Sequence, residues 1–156
     1  MKDKIFKFPL IVIAIFFISN STNAQDYGTG VGLRAGTFQN GITIKHFINE
    51  QDAVEGILGF GSGAFVVTGF YQRHADALDV DGLKWFYGLG AHVGGVSKTL
   101  NNNNGGLMLG ADAILGLEWV IPEVPISLTA DLHPRLELLN GALLGLEPAL
   151  SIRYTF

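Results

Sequence analysis

Cysteine is absent from the 156 residues. That excludes a disulfide scaffold, a cysteine-ligated zinc or iron–sulfur site, a thiol nucleophile and a lipid-anchored cysteine together. Charge is scarce as well: 15% of the residues are Asp, Glu, Lys or Arg, against roughly 25% in a water-soluble domain. The chain is nevertheless no disordered tail, because 48% of it is hydrophobic and low hydrophobicity is what keeps a segment unfolded. Beyond residue 24 no apolar run is long enough for a membrane helix, which needs about 20 residues. Clusters of basic residues are missing too, which excludes nucleic acid as a partner, since a polyanion calls for a concentrated basic surface. What the sequence holds in excess is glycine, at 21 residues, about twice the usual share of roughly 7%.

Part of the hydrophobicity sits at the start. Lys2, Lys4 and Lys7 precede an apolar run over 8–18, and 19–24 is small and polar, ending Thr22, Asn23, Ala24. A positive end, a short apolar core and small residues before the cut make a secretory signal peptide. The expected domains are therefore a signal peptide over 1–24 and one mature domain over 25–156. The 11-residue core is too short to anchor in a bilayer. Removing Lys2, Lys4, Lys7 and Asp3 leaves 7 basic and 13 acidic residues, a net charge of −6.

In the mature part the pattern is alternation. Over 126–138, Ile126, Leu128, Ala130, Leu132, Pro134, Leu136 and Leu138 share one parity, while Ser127, Thr129, Asp131, His133, Arg135 and Glu137 take the other. Successive side chains of a strand point to opposite faces, so one face is wholly apolar and the other wholly polar. The design recurs over 107–119, where Asp112 and Glu118 lie on the second face, and over 83–93, where Lys84, Gly88, Gly90 and His92 do. Eight strands are expected, over 27–38, 42–48, 53–60, 64–74, 83–96, 107–120, 126–138 and 143–156. Asn40-Gly41 is the strongest hairpin signal, because a type I′ turn needs positive φ at both central residues. Gly61-Ser62-Gly63, 101–106 and Asn140-Gly141 supply later turns.

The chain closes Leu150, Ser151, Ile152, Arg153, Tyr154, Thr155, Phe156. This terminal strand of alternating hydrophobics ending on an aromatic resembles bacterial outer-membrane barrels. Over 25–156 the chain is similar to the small barrels of the OmpX and OmpA-transmembrane-domain class, and its terse, Asn-rich turns resemble Bacteroidetes-type members without assigned activity. The resemblance implies a closed, antiparallel, eight-stranded, up-and-down all-β transmembrane barrel in the outer membrane. It also implies a C-terminus facing the periplasm and recognition of the strand ending at Phe156 by the barrel assembly machinery. Outer-membrane lipid and lipopolysaccharide would then surround the wall. The connections near 39–41, 61–63, 97–106 and 139–142 would face outward. The long one, with Ser97, its asparagines and Gly106, would offer a surface for a partner. The connection over 75–82 departs from the usual short periplasmic turns; Asp79, Asp81 and Gly82 there lack the closing glutamate of a calcium loop and read as a solvated acidic turn.

An eight-stranded barrel is just wide enough for its own side chains to fill it, which excludes a diffusion pore. On the outer parity, Val31, Leu33, Leu89, Val93, Leu109, Leu115, Leu117, Leu128, Leu132, Leu150 and Ile152 would face lipid. Trp85, Tyr87, Trp119, Tyr154 and Phe156 would form an aromatic girdle at the periplasmic interface. The inner parity collects Gly28, Gly30, Gly32, Gly36, Gly88 and Gly90, where a narrow lumen leaves no room for side chains. It also collects Arg34, Lys45, Glu55, Lys84, His92, Asp112, Glu118, Asp131, His133, Arg135, Glu137, Glu147 and Arg153. A turn at Asn140-Gly141 sets Arg135 opposite Glu147 and Pro134 opposite Pro148, and at those prolines the ladder should loosen. His92, Asp112, His133, Arg135 and Glu147 are expected to form a salt-bridge belt, since unpaired buried charge is costly.

No intact catalytic constellation, metal motif or cofactor site emerges. Barrels that deacylate lipid A are known for a His-x-Ser pair, whereas the seventh strand here reads His133-Pro134-Arg135. Ser127 shares that face but stands six residues away, about 20 Å along a strand, far beyond the ~3 Å a nucleophile needs from its base. The outward loops are too short for a palmitoyl-transferring triad, and His46 and His74 read as rim residues. A structural or surface-interaction role is expected. The alternatives are a lipid A or lipopolysaccharide-modifying enzyme and a small apolar ligand binder, the latter calling for a lumen pocket above ~300 Å³.

Overall fold

The computed structural model describes residues 27–61, 63–96, 106–139 and 143–156. The expected signal peptide, Ser62, the loop 97–105 and Asn140-Gly141 lie outside the described residues. Eight strands form in chain order: β1 (Thr29–Gly36), β2 (Asn40–Phe47), β3 (Asp52–Gly61), β4 (Ala64–Asp76), β5 (Leu83–Val96), β6 (Gly106–Val120), β7 (Ile126–Glu137) and β8 (Leu143–Thr155). Each pairs antiparallel with its neighbours in sequence, and β1 pairs with β8, so the sheet closes into a barrel with no free edge. Closure removes the unpaired strand edges that an open sheet would leave, which is what strands crossing a bilayer require.

Two ends follow from this topology. Tyr27, Phe156 and the connections 48–51, 77–82 and 121–125 share the terminal end, and the connections after β1, β3, β5 and β7 share the loop end. The connection between β4 and β5, which looked too long for a turn, is a real one. It runs over 77–82 with Leu78 and Asp79 at φ of 56° and 48° and Gly82 at 79°.

Asn40-Gly41 is not the first turn. Gly36 donates its N–H to the Gln39 carbonyl at 3.0 Å, the chain turns at Thr37 and Phe38, and Asn40 already pairs with Ala35. Gly41 is required for another reason: it faces inward, and a Cβ there would lie 1.8 Å from the Leu58 carbonyl oxygen. The last hairpin is also offset from the expectation. Its strands stop at Glu137 and Leu143, and this longer connection moves the register by two residues. His133 therefore stands opposite Glu147, Arg135 opposite Gly145, Pro134 opposite Leu146 and Pro148 opposite Leu132. A shift of two keeps every side chain on its predicted face. Between β6 and β7 the ladder runs from Asp112↔Arg135 directly to Leu115↔Leu132, with the gap at Pro134, which has no N–H to donate.

The wall is apolar on its outside. Leu33, Leu89, Leu109, Leu115, Leu117, Leu128, Leu132, Leu150 and Ile152 are all exposed, in company with more than a dozen further large hydrophobics; Val31 is half-buried. A water-soluble monomer rarely shows contiguous apolar patches above a few hundred Å², and here the apolar band runs round the barrel. Gly30, Gly32, Gly36, Gly88 and Gly90 keep to the inner face, whereas Gly28 is exposed beside the C-terminus.

Candidate functional site

The interior is the reverse of a soluble core. Nine buried hydrophobic residues are outnumbered by nineteen buried polar or charged ones among the described residues, so the polar face is what the barrel encloses. An apolar cluster of Ile57, Phe70, Phe86 and Ile114 occupies part of the lumen, and it touches polar networks on both sides. Phe70 meets the edge of His133 at 4.9 Å between ring centroids, while Phe86 stacks on His74 at 5.0 Å and carries the Lys45 ammonium 4.4 Å from its centroid.

The network towards the terminal end is built on two carboxylates and two cations. Glu118 on β6 receives Lys45 Nζ at 3.1 Å and His74 Nε2 at 3.0 Å on Oε2. Its Oε1 receives the Tyr27 hydroxyl at 2.5 Å and the Ser127 hydroxyl at 2.5 Å, with Arg153 Nη1 at 3.6 Å. Glu55 on β3 is held by Arg153, by Thr43 at 2.5 Å, by Gln72 Nε2 at 2.5 Å and by Lys45 at 3.7 Å. Arg153 also donates to Thr129 at 2.6 Å. Burial and the neighbouring Glu118 carboxylate push the Tyr27 phenol, which precedes β1, well above the ordinary tyrosine range.

Above this set Arg34 of β1 makes a bidentate pair with Asp131 of β7, at 2.8 and 2.7 Å. The belt residues meet at the loop end. Asp112 receives His92 Nδ1 at 2.8 Å and His133 Nε2 at 2.9 Å, with Arg135 Nε at 3.8 Å. Glu147 lies 3.8 Å from His133 Nδ1 and 3.8 Å from Arg135 Nη1, and accepts the Gln39 backbone N–H at 2.9 Å, which ties β8 to the first turn. Glu137 accepts His92 Nε2 at 3.1 Å and the Leu109 N–H at 2.8 Å at the rim. Each network thus crosses the lumen and ties strands that are not neighbours in the sheet.

Several members were not singled out from the sequence. Tyr27, Thr43, Gln72 and Thr129 complete the terminal-end network together with Ser127, and for Gln72 the inner parity of β4 (Val66, Thr68, Phe70, Gln72, His74) was the available signal. His74 is no rim residue: it is 2% exposed and bonded to Glu118. His46 does lie outside, paired with Thr29 at 2.9 Å. Ser127 and His133, the residues weighed as nucleophile and base, belong to different networks, bonded to Glu118 and Asp112 respectively.

On the outer wall Trp85 and Tyr87 stack at 5.5 Å, and Tyr154 and Phe156 stand 6.3 Å apart. With Trp119 they all lie towards the terminal end of their strands. The loop end carries exposed aromatics of its own, Phe38, Phe60 and Phe65, the last two in contact at 5.3 Å.

No family model matches the chain and no curated protein matches it. Among solved structures it is similar to the N-terminal β-barrel domain of Pseudomonas aeruginosa OprF, with a TM-score of 0.68, 16% identity, and coverage of 82% of this chain and 96% of that one. It is also similar to Neisserial surface protein A (NspA), with a TM-score of 0.52, 12% identity, and coverage of 82% and 93%. At these identities the likeness is one of fold, and the fold is a closed eight-stranded antiparallel barrel.

Proposed function

We propose that the chain is a small integral barrel of the outer membrane of a Gram-negative-type bacterium. In this reading residues 1–24 are removed on export, and the strand ending at Phe156 is what the assembly machinery reads. The termini face the periplasm, and the protein serves a structural or surface-interaction role through the loop over 97–106. The observation that supports this is the inversion of polarity: an outer wall of exposed Leu, Ile, Val and aromatic side chains around a lumen of paired charges. Only a hydrocarbon surround makes that distribution favourable, since apolar surface is stabilised by leaving water and buried charge needs partners.

A lumen crossed by Glu118, Glu55, Lys45 and Arg153 is a plug rather than a pore, and the separation of Ser127 from His133 speaks for a non-enzymatic role. Short turns and Asn-rich loops favour a Bacteroidetes-type relative. The test joins membrane fractionation to gel mobility in detergent. Recovery with the outer membrane, with unboiled protein migrating apart from boiled protein, is expected, together with no stepwise conductance in planar bilayers. Identical mobility with and without boiling, or recovery in the soluble fraction, would sink the proposal.

A further inference from the structure

A hollow of about 490 Å³ indents the outer wall over β2, β3 and β4, lined by Ile44, His46, Val54, Gly56, Gly69 and Tyr71. The strand pairing explains it. Ile44, Gly56 and Gly69 stand side by side across the three strands, as do His46, Val54 and Tyr71 in the next row towards the terminal end. Towards the loop end the following row is Ile42, Leu58 and Val67. Exposed side chains of Leu58, Val67, Val54 and Tyr71 thus enclose a place where two side chains are missing. A Cβ at Gly69 would meet nothing within 4 Å, and one at Gly56 would meet Ile44 at 3.5 Å.

The terminal edge of the hollow is charged. One row beyond Val54 and Tyr71, Asp52 pairs with Arg73. Arg34, Lys45, Lys84, Arg135 and Arg153 lie on the inner parity, so among the described residues Arg73 is the only Lys or Arg on the outer face of a strand. Its Nη2 donates to Gln51 Oε1 at 2.9 Å, and its Nη1 lies 3.8 Å from Asp52 Oδ1. Asp52 does not mask it, because the Arg73 side chain is 55% exposed and that of Asp52 14%. A guanidinium carries five N–H donors, so donors remain for an anion outside the wall. Across the ladder Arg73 faces Tyr87, which places it beside the stacked aromatic pair at the terminal end.

A cation at the rim of an apolar hollow complements a ligand with an anionic head and a hydrocarbon tail. Arg73 and Gly69 are four residues apart on β4, about 13 Å along the strand, which fits the ~15 Å of hydrocarbon in one leaflet. The wall of a second barrel would offer Arg73 no anion, since among the described residues the outer faces of the strands carry no acid except Asp52.

We propose that one phospholipid of the leaflet at the terminal end is held here, with its phosphate on Arg73 and one acyl chain in the hollow over Gly56 and Gly69. This rests on the reading that the wall faces hydrocarbon, and it turns general contact with lipid into a defined site. The ligand lies on the wall, not in a lumen pocket.

The test is native mass spectrometry of the full mature protein, folded in detergent and titrated with palmitoyl-oleoyl-phosphatidylglycerol or with the matching diacylglycerol, which lacks the phosphate. One phosphatidylglycerol should survive the activation that strips the detergent, and diacylglycerol should not. Arg73→Gln should weaken retention about tenfold or more, the worth of hydrogen bonds to a charged group. Gly69→Leu should weaken it by filling the hollow, whereas Ala130→Leu, on the opposite side of the barrel, should leave it unchanged. Equal retention of the diacylglycerol, equal retention by Arg73→Gln, or no retained lipid would each overturn the proposal. So would a wild-type dimer that Gly69→Leu abolishes, since that would seat a second copy in the hollow. If Gly69→Leu does not fold, the two lipids and Arg73→Gln decide. Quenching of Trp85 and Trp119 by phospholipids brominated in their acyl chains, measured in vesicles, separates the site from the reading beneath it. Without quenching the lipid-facing wall itself falls, whereas quenching without selective retention overturns the site alone.

Discussion

Glu118→Gln is the perturbation to which the lumen should be most sensitive. Glu118 is 1% exposed, and its two oxygens face Lys45, His74, Tyr27, Ser127 and Arg153, the first four at 3.1 Å or less. With Glu55 it balances Lys45 and Arg153, so the amide leaves that quartet with one uncompensated positive charge. Glutamine keeps the volume but turns its NH₂ towards groups that are themselves donors. Removing one partner of a buried ion pair costs about 3–5 kcal/mol. The Tyr27 and Ser127 hydroxyls can rotate to other acceptors, so their loss does not add in full, and about 4 kcal/mol is expected.

The measurement is urea unfolding in detergent, followed by loss of the folded gel band and by fluorescence of Trp85 and Trp119. Lys45→Met should be comparably costly, since it strips Glu118 and Glu55 of one cation. The double variant should be milder than the sum of the two by about 1–3 kcal/mol, as for residues sharing one network, because removing both charges also removes the desolvation each imposes. A cost for Glu118→Gln below about 1 kcal/mol, or additivity within about 0.5 kcal/mol, would refute the view that these charges hold the barrel together across its lumen.

The eight strands and the two faces were legible because alternation is a local property: each residue of 126–138 declares its side whatever its partner. The interior of the belt was legible for the same reason, and an error of two residues in the last hairpin exchanged which residue faces Glu147 without moving any side chain from lumen to wall. What local pattern could not supply was turn geometry and partners across the lumen. Asn40-Gly41 carries the residue types of a turn, but Gly41 is small to admit the Leu58 carbonyl. The bond from Glu118 to Lys45 joins β6 to β2, which are not adjacent in the sheet, so no hairpin register could propose it. His74 was misplaced because the faces of β4 were left unread, although Gln72 and His74 continue the parity of Val66, Thr68 and Phe70.

Three further perturbations probe the wall, the mouth and the seam. Leu150 is exposed on the outside of β8, and Leu150→Arg should cost about 2–4 kcal/mol, as for arginine at the bilayer midplane, in unfolding from lipid bilayers; a neutral result would mean that the wall does not face hydrocarbon. Absorbance titration should show Tyr27 ionising above the ordinary tyrosine range, and Tyr27→Phe should remove that late contribution. Gly32→Ala tests closure itself. Gly32 of β1 faces inward opposite Arg153 of β8, and a Cβ there would lie 1.8 Å from the Ile152 carbonyl oxygen and 2.6 Å from the Arg153 Cα. Those are backbone atoms of the strand that closes the barrel, so no rotamer change relieves the clash, and the cost should exceed the ~1–3 kcal/mol of ordinary overpacking. Gly69→Ala is the control, because its Cβ would meet nothing within 4 Å on the outer wall. Both variants lose the same glycine flexibility in a strand, so only the space differs. Gly32→Ala should abolish the folded band while Gly69→Ala retains it, and equal folding of the two would show that the seam between β1 and β8 is looser than these distances require.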